Sequence, residues 1–151
     1  MSEVANVVVS VKPEYARAIA AGKKTVELRR RFPNVQPGAW LILYATLPMG
    51  VIVGKALIEA VEHEAPSDIW ARHGGAAQVS KGFFDQYYAG RTQGVAVRLG
   101  AFIQFGPLSM AEVRAVLPDF RPPQSYRYLG SEVLKQLEHQ DAPPTASSSA
   151  V

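Results

Sequence analysis

The sequence predicts an α+β fold, a small mixed β-barrel with helices in its connections, and three observations predict it. Residues 7–11 form a β-branched run of strand length, Val7-Val8-Val9-Ser10-Val11. Residues 40–45, Trp40-Leu41-Ile42-Leu43-Tyr44-Ala45, are apolar on both faces, as a central strand covered on two sides requires. The long strands carry internal glycines, and neither a regular strand–helix–strand alternation nor a glycine-rich phosphate loop is present, which argues against a doubly wound sheet. The same patterns place Val9, Leu41, Leu43, Val53, Val97 and Leu99 in the core.

The elements follow in order. Pro13 suits the first turn of a helix with Glu14 at its positive end. Tyr15, Ala18 and Ile19 share one face of that helix, and Gly22 terminates it. Residues 24–30 alternate as a strand. Lys24, Val26, Leu28 and Arg30 lie on one side; Thr25, Glu27, Arg29 and Arg31 lie on the other. Pro33, Pro37 and Gly38 mark a turn before the apolar strand. Gly50 opens a strand running to about Val61, with Gly54 at a bulge or bend. Residues 66–89 read as two helical pieces around Gly74-Gly75. Ser80 caps the second, and Phe83, Phe84, Tyr87 and Tyr88 form its packing face. A long strand follows from Val95 to Phe105, with Gly100 as a kink. Ser109 and Glu112 make a capping box for a short helix. Pro118 and Pro122-Pro123 enclose a loop, and Ser131 to His139 form a final amphipathic helix. The chain thus reads as one domain over residues 1–139, followed by a disordered tail over 140–151.

Composition bounds the function without choosing it. There are 151 residues, 48% of them hydrophobic, enough for one domain with a real core. The cysteine count is zero, which excludes disulfides and thiolate chemistry and suits a cytoplasmic protein. No apolar run is long enough to span a membrane, and no secretory signal pattern opens the chain. The three histidines, His63, His73 and His139, have no metal-ligand spacing, and His73 reads as structural. No cofactor is implied, and no metal. Charge is uneven: residues 1–31 carry seven basic and three acidic side chains, a net +4, against −1 for the remainder. A basic N-terminal unit on a near-neutral body calls for an anionic partner.

The candidate site residues cluster in that unit. Lys24, at the rim of the core, is either a partly desolvated base or cation, or a lysine whose stem covers apolar surface. Glu27 and Arg29, two apart on one strand face, can orient a nucleobase edge or form an ordinary ion pair. Strict alternation sets Lys24 and Glu27 on opposite faces, so a twist or bulge is needed to unite them. Ser10 and Lys12 flank the helix start, where free N–H groups favour an anion. Arg29, Arg30 and Arg31 offer phosphate contacts, or protect a sheet edge from pairing. Tyr126 and Tyr128, with Arg127 between them, can stack a base, whereas Tyr44 reads as core.

The strand–helix–strand unit resembles the ASCH domain, a branch of the PUA-like superfamily. Ser10, Lys12, Tyr15, Gly22, Lys24, Thr25, Glu27 and Arg29 carry the likeness. Gly22, Lys24, Glu27 and Arg29 reproduce a Gly-x-Lys-x-x-Glu/Thr-x-Arg signature. The likeness covers roughly residues 5–130, with Pro122 to Leu129 as a subfamily feature. It implies a PUA-like barrel with a cleft between the first helix and the barrel, in which relatives bind RNA. Some small relatives cleave the amide of N4-acylated cytidine nucleosides, and one branch is a ribonuclease. In the amidohydrolases a threonine nucleophile stands where this chain has Glu27, so of that set only the lysine carries over. The expectation is therefore an RNA- or modified-nucleoside-binding protein, with Lys24 as the catalytic group if it is a hydrolase.

Overall fold

A computed structural model describes residues 5–140. The expected tail lies outside them, except for Gln140, which ends the last helix. The elements run β1 (Asn6–Val11), α1 (Pro13–Ala20), β2 (Val26–Arg29), β3 (Trp40–Ala45), β4 (Val51–Glu64), α2 (Pro66–His73) and α3 (Lys81–Tyr87). They continue with β5 (Gly94–Leu108), α4 (Met110–Val116), β6 (Arg127–Leu129) and α5 (Ser131–Gln140). Six strands form one sheet in the order β2-β5-β4-β3-β1-β6. The β1–β3 pair is parallel, and every other neighbouring pair is antiparallel.

The sheet is not closed, which corrects the expectation of a barrel. Its two edge strands, β2 and β6, have four and three residues and do not pair with each other. Between them the sheet curls strongly. Val7, Val9 and Val11 of β1 share one core cluster with Val95, Val97 and Leu99 of β5, although β3 and β4 lie between those strands. Two glycines assist the curl. A register shift between Ile52 and Gly54 of β4 occurs in its pairing with both β3 and β5, and Gly100 adjoins another shift between β4 and β5. At Gly54 φ is +151°, and an added Cβ would lie 2.6 Å from the Ile103 carbonyl oxygen. We expect Gly54→Ala to lower stability by roughly 2–4 kcal/mol through backbone strain and overpacking. Urea unfolding of the variant checks this, and an unchanged midpoint would contradict the bulge.

The doubly apolar strand is explained by its place. Leu41, Leu43 and Ala45 face the cluster inside the curl; Ile42 and Tyr44 face a second cluster under α4 and α5 with Phe105, Val113, Phe120 and Leu134. Val9, Leu41, Leu43, Val97 and Leu99 are buried, but Val53 is only half-buried, beside a shallow groove with Ala16, Met49 and Phe102. Ser80 accepts from the Phe83 N–H at the start of α3, and Ser109 and Glu112 form a reciprocal cap on α4. β6 lies between that proline-bounded loop and the last helix, where the sequence reading assigns no element, and pairs with Asn6 to Val8 of β1. Among the described residues, no helix is long and apolar enough to cross a membrane.

Alternation in β2 sets up the site. Val26 and Leu28 join a third cluster with Ile69, Phe84, Tyr88 and Ala96, under α2 and α3. Glu27 and Arg29 consequently turn the other way, toward α1 and the end of β1.

Candidate functional site

The turn after α1 places Lys24. Gly22 adopts φ +77°, its N–H donates to the Ile19 carbonyl at 3.0 Å, and the Lys23 N–H donates to Ala18 at 2.9 Å. This paired bonding pattern closes a helix on a left-handed glycine. The Lys24 N–H also reaches the Ala18 carbonyl, at 3.1 Å, so Lys24 belongs to the turn and precedes the β2 ladder. Strand alternation therefore does not govern it. Its ammonium lies 3.9 Å from Glu27 Oε1, on the side away from Val26 and Leu28, which corrects the two-faced assignment made from the sequence.

Lys24 is enclosed. Its side chain is 1% exposed, its ammonium donates to the Ala77 carbonyl, and the Tyr15 ring centroid is 4.7 Å away. The Ala77 carbonyl is presented by the connection between α2 and α3. There Gln78 takes a left-handed φ of +56°, and the Thr25 and Val26 N–H groups both donate to Ala76. Burial lowers the Lys24 pKa from its ordinary value, and the Glu27 carboxylate partly opposes the shift. Glu27 in turn bonds Arg29, with Nη1 to Oε2 at 3.1 Å. A buried carboxylate thus sits between two cations.

Arg29 also ties the site to a distant loop. Nη2 donates to the Ser125 carbonyl at 2.7 Å, and Nη1 reaches the Ser10 carbonyl at 3.4 Å. The Ser10 hydroxyl donates to the Pro123 carbonyl at 2.8 Å. Two site residues hold the segment 122–126 by its backbone.

Ser10, Lys12, Lys24, Glu27 and Arg29 line one cleft of about 150 Å³. Its apolar wall is aromatic. Phe83 and Tyr87 stack with centroids 5.8 Å apart and planes at 14°, and Tyr15 meets Phe83 edge-on at 6.4 Å. Lys12 stands over the Phe83 ring at 5.4 Å. Burial also raises the Tyr15 and Tyr87 pKa values, so both rings remain neutral phenols at physiological pH. A space of this size admits one flat group, offered a carboxylate acceptor, a buried cation and a ring to lie against.

The remaining candidates are placed elsewhere. Arg30 and Arg31 line a neighbouring depression of about 300 Å³ that shares Arg29 and Tyr87 with the cleft. Tyr126 packs on Phe32 at 6.3 Å and borders a further hollow beside Arg31. Arg127 pairs with Asp119 at 3.4 Å, stands over Phe120 and does not line the cleft. Tyr128 is exposed, and Tyr44 is buried. His73 bonds Glu62 Oε1 at 2.8 Å, an ordinary structural pairing.

Sequence reasoning missed Phe83 and Tyr87 as cleft walls. Phe84 and Tyr88 are buried against β2 and β5, while Phe83 and Tyr87, one residue earlier in each pair, turn toward Tyr15 and Lys24. The signal was the width of the stripe. Two adjacent aromatic pairs four residues apart cover more than one helix face, so a second surface had to receive the other pair.

Comparison with known proteins gives concordant results. The ASCH domain profile matches residues 9–100. A curated protein of Zymomonas mobilis named ASCH domain-containing ribonuclease is 34% identical over 130 residues, covering 86% of this chain and 88% of that protein. The crystal structure of ASCH from Zymomonas mobilis superposes with a TM-score of 0.86 at 32% identity, over 91% of this chain and 96% of that one. The N-terminal domain of Staphylothermus marinus McrB shares the fold alone. Its TM-score is 0.54 at 9% identity, over 92% of this chain and 98% of that domain.

Proposed function

The chain belongs to the ASCH domain family, and on that premise we propose that it binds single-stranded RNA with one nucleotide in the Lys24 cleft and cleaves it there. The observation that carries this reading is a buried lysine facing a carboxylate across a small aromatic-walled cleft. The ribonuclease name of the Zymomonas mobilis relative supports the choice of RNA. A base lies against the ring of Tyr87 or Phe83, and Glu27 accepts from an exocyclic amine or ring N–H. Lys24 in its neutral form takes the proton of the ribose 2′-hydroxyl. The 2′-oxygen attacks the adjacent phosphorus, the bond from phosphorus to the 5′-oxygen breaks, and the departing oxygen takes a proton from water. The products are a 2′,3′-cyclic phosphate and a 5′-hydroxyl end.

Product analysis tests this directly. RNA should yield cyclic phosphate ends, and a 2′-deoxy substitution at the scissile position should stop the reaction. Continued cleavage of the deoxy substrate would remove the 2′-hydroxyl step. The pH dependence has a definite sign. Because burial lowers the Lys24 pKa, the neutral amine forms at lower pH than in an ordinary lysine. Activity should rise with pH and level off below the usual lysine range. A fall over that interval would instead assign Lys24 the role of a required cation.

A second reading follows from the size of the cleft, which suits a free modified nucleoside as well as a nucleotide in a chain. Amide hydrolysis is the less favoured chemistry, because Glu27 occupies the position of the amidohydrolase threonine. A thermal-shift screen of modified nucleosides beside short RNAs separates the two ligands.

A further inference from the structure

Beside the cleft lies a strip of cations with no carboxylate to neutralise them. Arg30 and Arg31 follow β2, and Arg91 comes from the turn after α3, where its N–H donates to the Tyr88 carbonyl at 2.9 Å. All three line the depression of about 300 Å³ that adjoins the cleft through Arg29 and Tyr87, with Gln124 and Ser125 on its far side. No acidic residue lines it. Among the described residues, none of these three arginines forms an ion pair, whereas Arg29, Arg72, Arg98 and Arg127 each have a carboxylate within 4 Å.

Edge protection does not account for them. The last rung of the β2–β5 ladder is Arg29 with Val95, so Arg30 and Arg31 lie beyond the paired edge. Arg30 is held in place by the end of α3. Its Nε donates to the Tyr87 carbonyl at 2.9 Å, and its guanidinium lies 4.2 Å from the Tyr87 ring centroid. It closes that helix and braces a cleft wall. Arg31 and Arg91 are exposed and carry no such bond.

We propose that this strip is a backbone track for single-stranded RNA: Arg31 and Arg91 bind phosphates next to the nucleotide whose base occupies the cleft, and Arg30 positions Tyr87 between the two sites. The proposal rests on the reading of the cleft as a nucleotide site and extends it to neighbouring nucleotides. Arginine suits this role because its planar fork engages phosphate oxygens in pairs and remains charged. A single strand fits because one base must leave any stack to enter a cleft enclosed by Tyr15, Phe83 and Tyr87.

The test uses the full chain, a nucleoside 5′-monophosphate, a non-cleavable 2′-O-methyl hexanucleotide and a duplex of the same sequence. Binding to wild type, Arg31→Ala and Arg91→Ala is followed by fluorescence anisotropy across a salt series, with the monophosphate as competitor. Each substitution should weaken the hexanucleotide roughly tenfold at low salt and reduce the log–log salt slope by about 0.7 per lost contact. Monophosphate affinity should be unchanged. Equal losses for monophosphate and hexanucleotide, or unchanged slopes in both variants, would overturn the track. Duplex binding with the same arginine dependence would overturn its single-strand character. The two readings fail differently. A hexanucleotide bound with full salt dependence but indifferent to Arg31 and Arg91 removes only the strip; binding that depends on them but ignores Glu27→Gln removes the cleft.

Discussion

Lys24→Met is expected to reduce RNA cleavage by roughly 10²–10⁴-fold, the contribution of a positioned acid–base group, without lowering the melting temperature. The two halves of this result have one cause. Methionine matches the aliphatic stem of the side chain but lacks the terminal nitrogen, and so carries no charge and no transferable proton. Burial already makes the ammonium unfavourable in the folded state, as the lowered pKa records. The unfolded chain therefore holds this proton more readily than the folded one. Below the folded-state pKa the full cost is present. It diminishes as pH rises from that value toward the ordinary lysine value. Removing the charge relieves the cost at neutral pH, and Glu27 still has Arg29 at 3.1 Å. Thermal unfolding and single-turnover cleavage of the same preparation check both halves. A large loss of stability would mean that Lys24 is principally a structural ion-pair partner. Retained cleavage would remove it from the chemistry.

Arg29→Ala should have the opposite profile, with the damage falling on the fold. Arg29 is the joint between β2, the end of β1 and the segment 122–126, through Glu27, the Ser10 carbonyl and the Ser125 carbonyl. Its loss leaves a buried carboxylate with one cation, at 3.9 Å, and removes one of the two side-chain ties on the segment 122–126, the Ser10 hydroxyl keeping the other. Breaking a buried pair from one side costs about 3 kcal/mol, and for a domain of this size that lowers the melting temperature by roughly 6–12 °C. Differential scanning calorimetry provides the comparison. Arg29→Lys should recover little, because a single ammonium nitrogen cannot replace the two guanidinium nitrogens that reach Glu27 and the Ser125 carbonyl separately. Full recovery by lysine would show that charge alone matters there.

The sequence carried the local half of this molecule well. Where a pattern depends on neighbours in the chain, it could be read: the two apolar faces of residues 40–45, the glycine end of α1, the serine caps of α3 and α4, the bend at Gly54. The family likeness gathered Ser10, Lys12, Lys24, Glu27 and Arg29, and these do share one cleft. What could not be read depends on contacts between distant segments. Lys24 looked like the first residue of a strand, and only the bonds of its N–H to Ala18 and its ammonium to Ala77 show that it is not. β6 has three residues and is defined by its partner, so residues 127–129 alone could not reveal it. The missing closure of the sheet is likewise a matter of where two very short strands stop. Arg91, sixty residues from Arg31 in the chain, meets it only because α3 packs across the end of β2.

The wide sequence separation of the contacts that complete the cleft has a consequence during synthesis. Lys24 is held by a carbonyl 53 residues downstream, and Arg29 by one 96 residues downstream. A chain emerging from the ribosome presents the whole signature, Gly22 to Arg29, early in translation, while the wall, the lysine's partner and the anchoring loop are still unmade. An enzyme that cuts RNA would be born attached to messenger and ribosomal RNA. On the reading proposed above, Lys24 lacks its carbonyl partner until Ala77 has emerged and Arg29 lacks its anchor until Ser125 has, so the cleft is completed only late in the emergence of the chain.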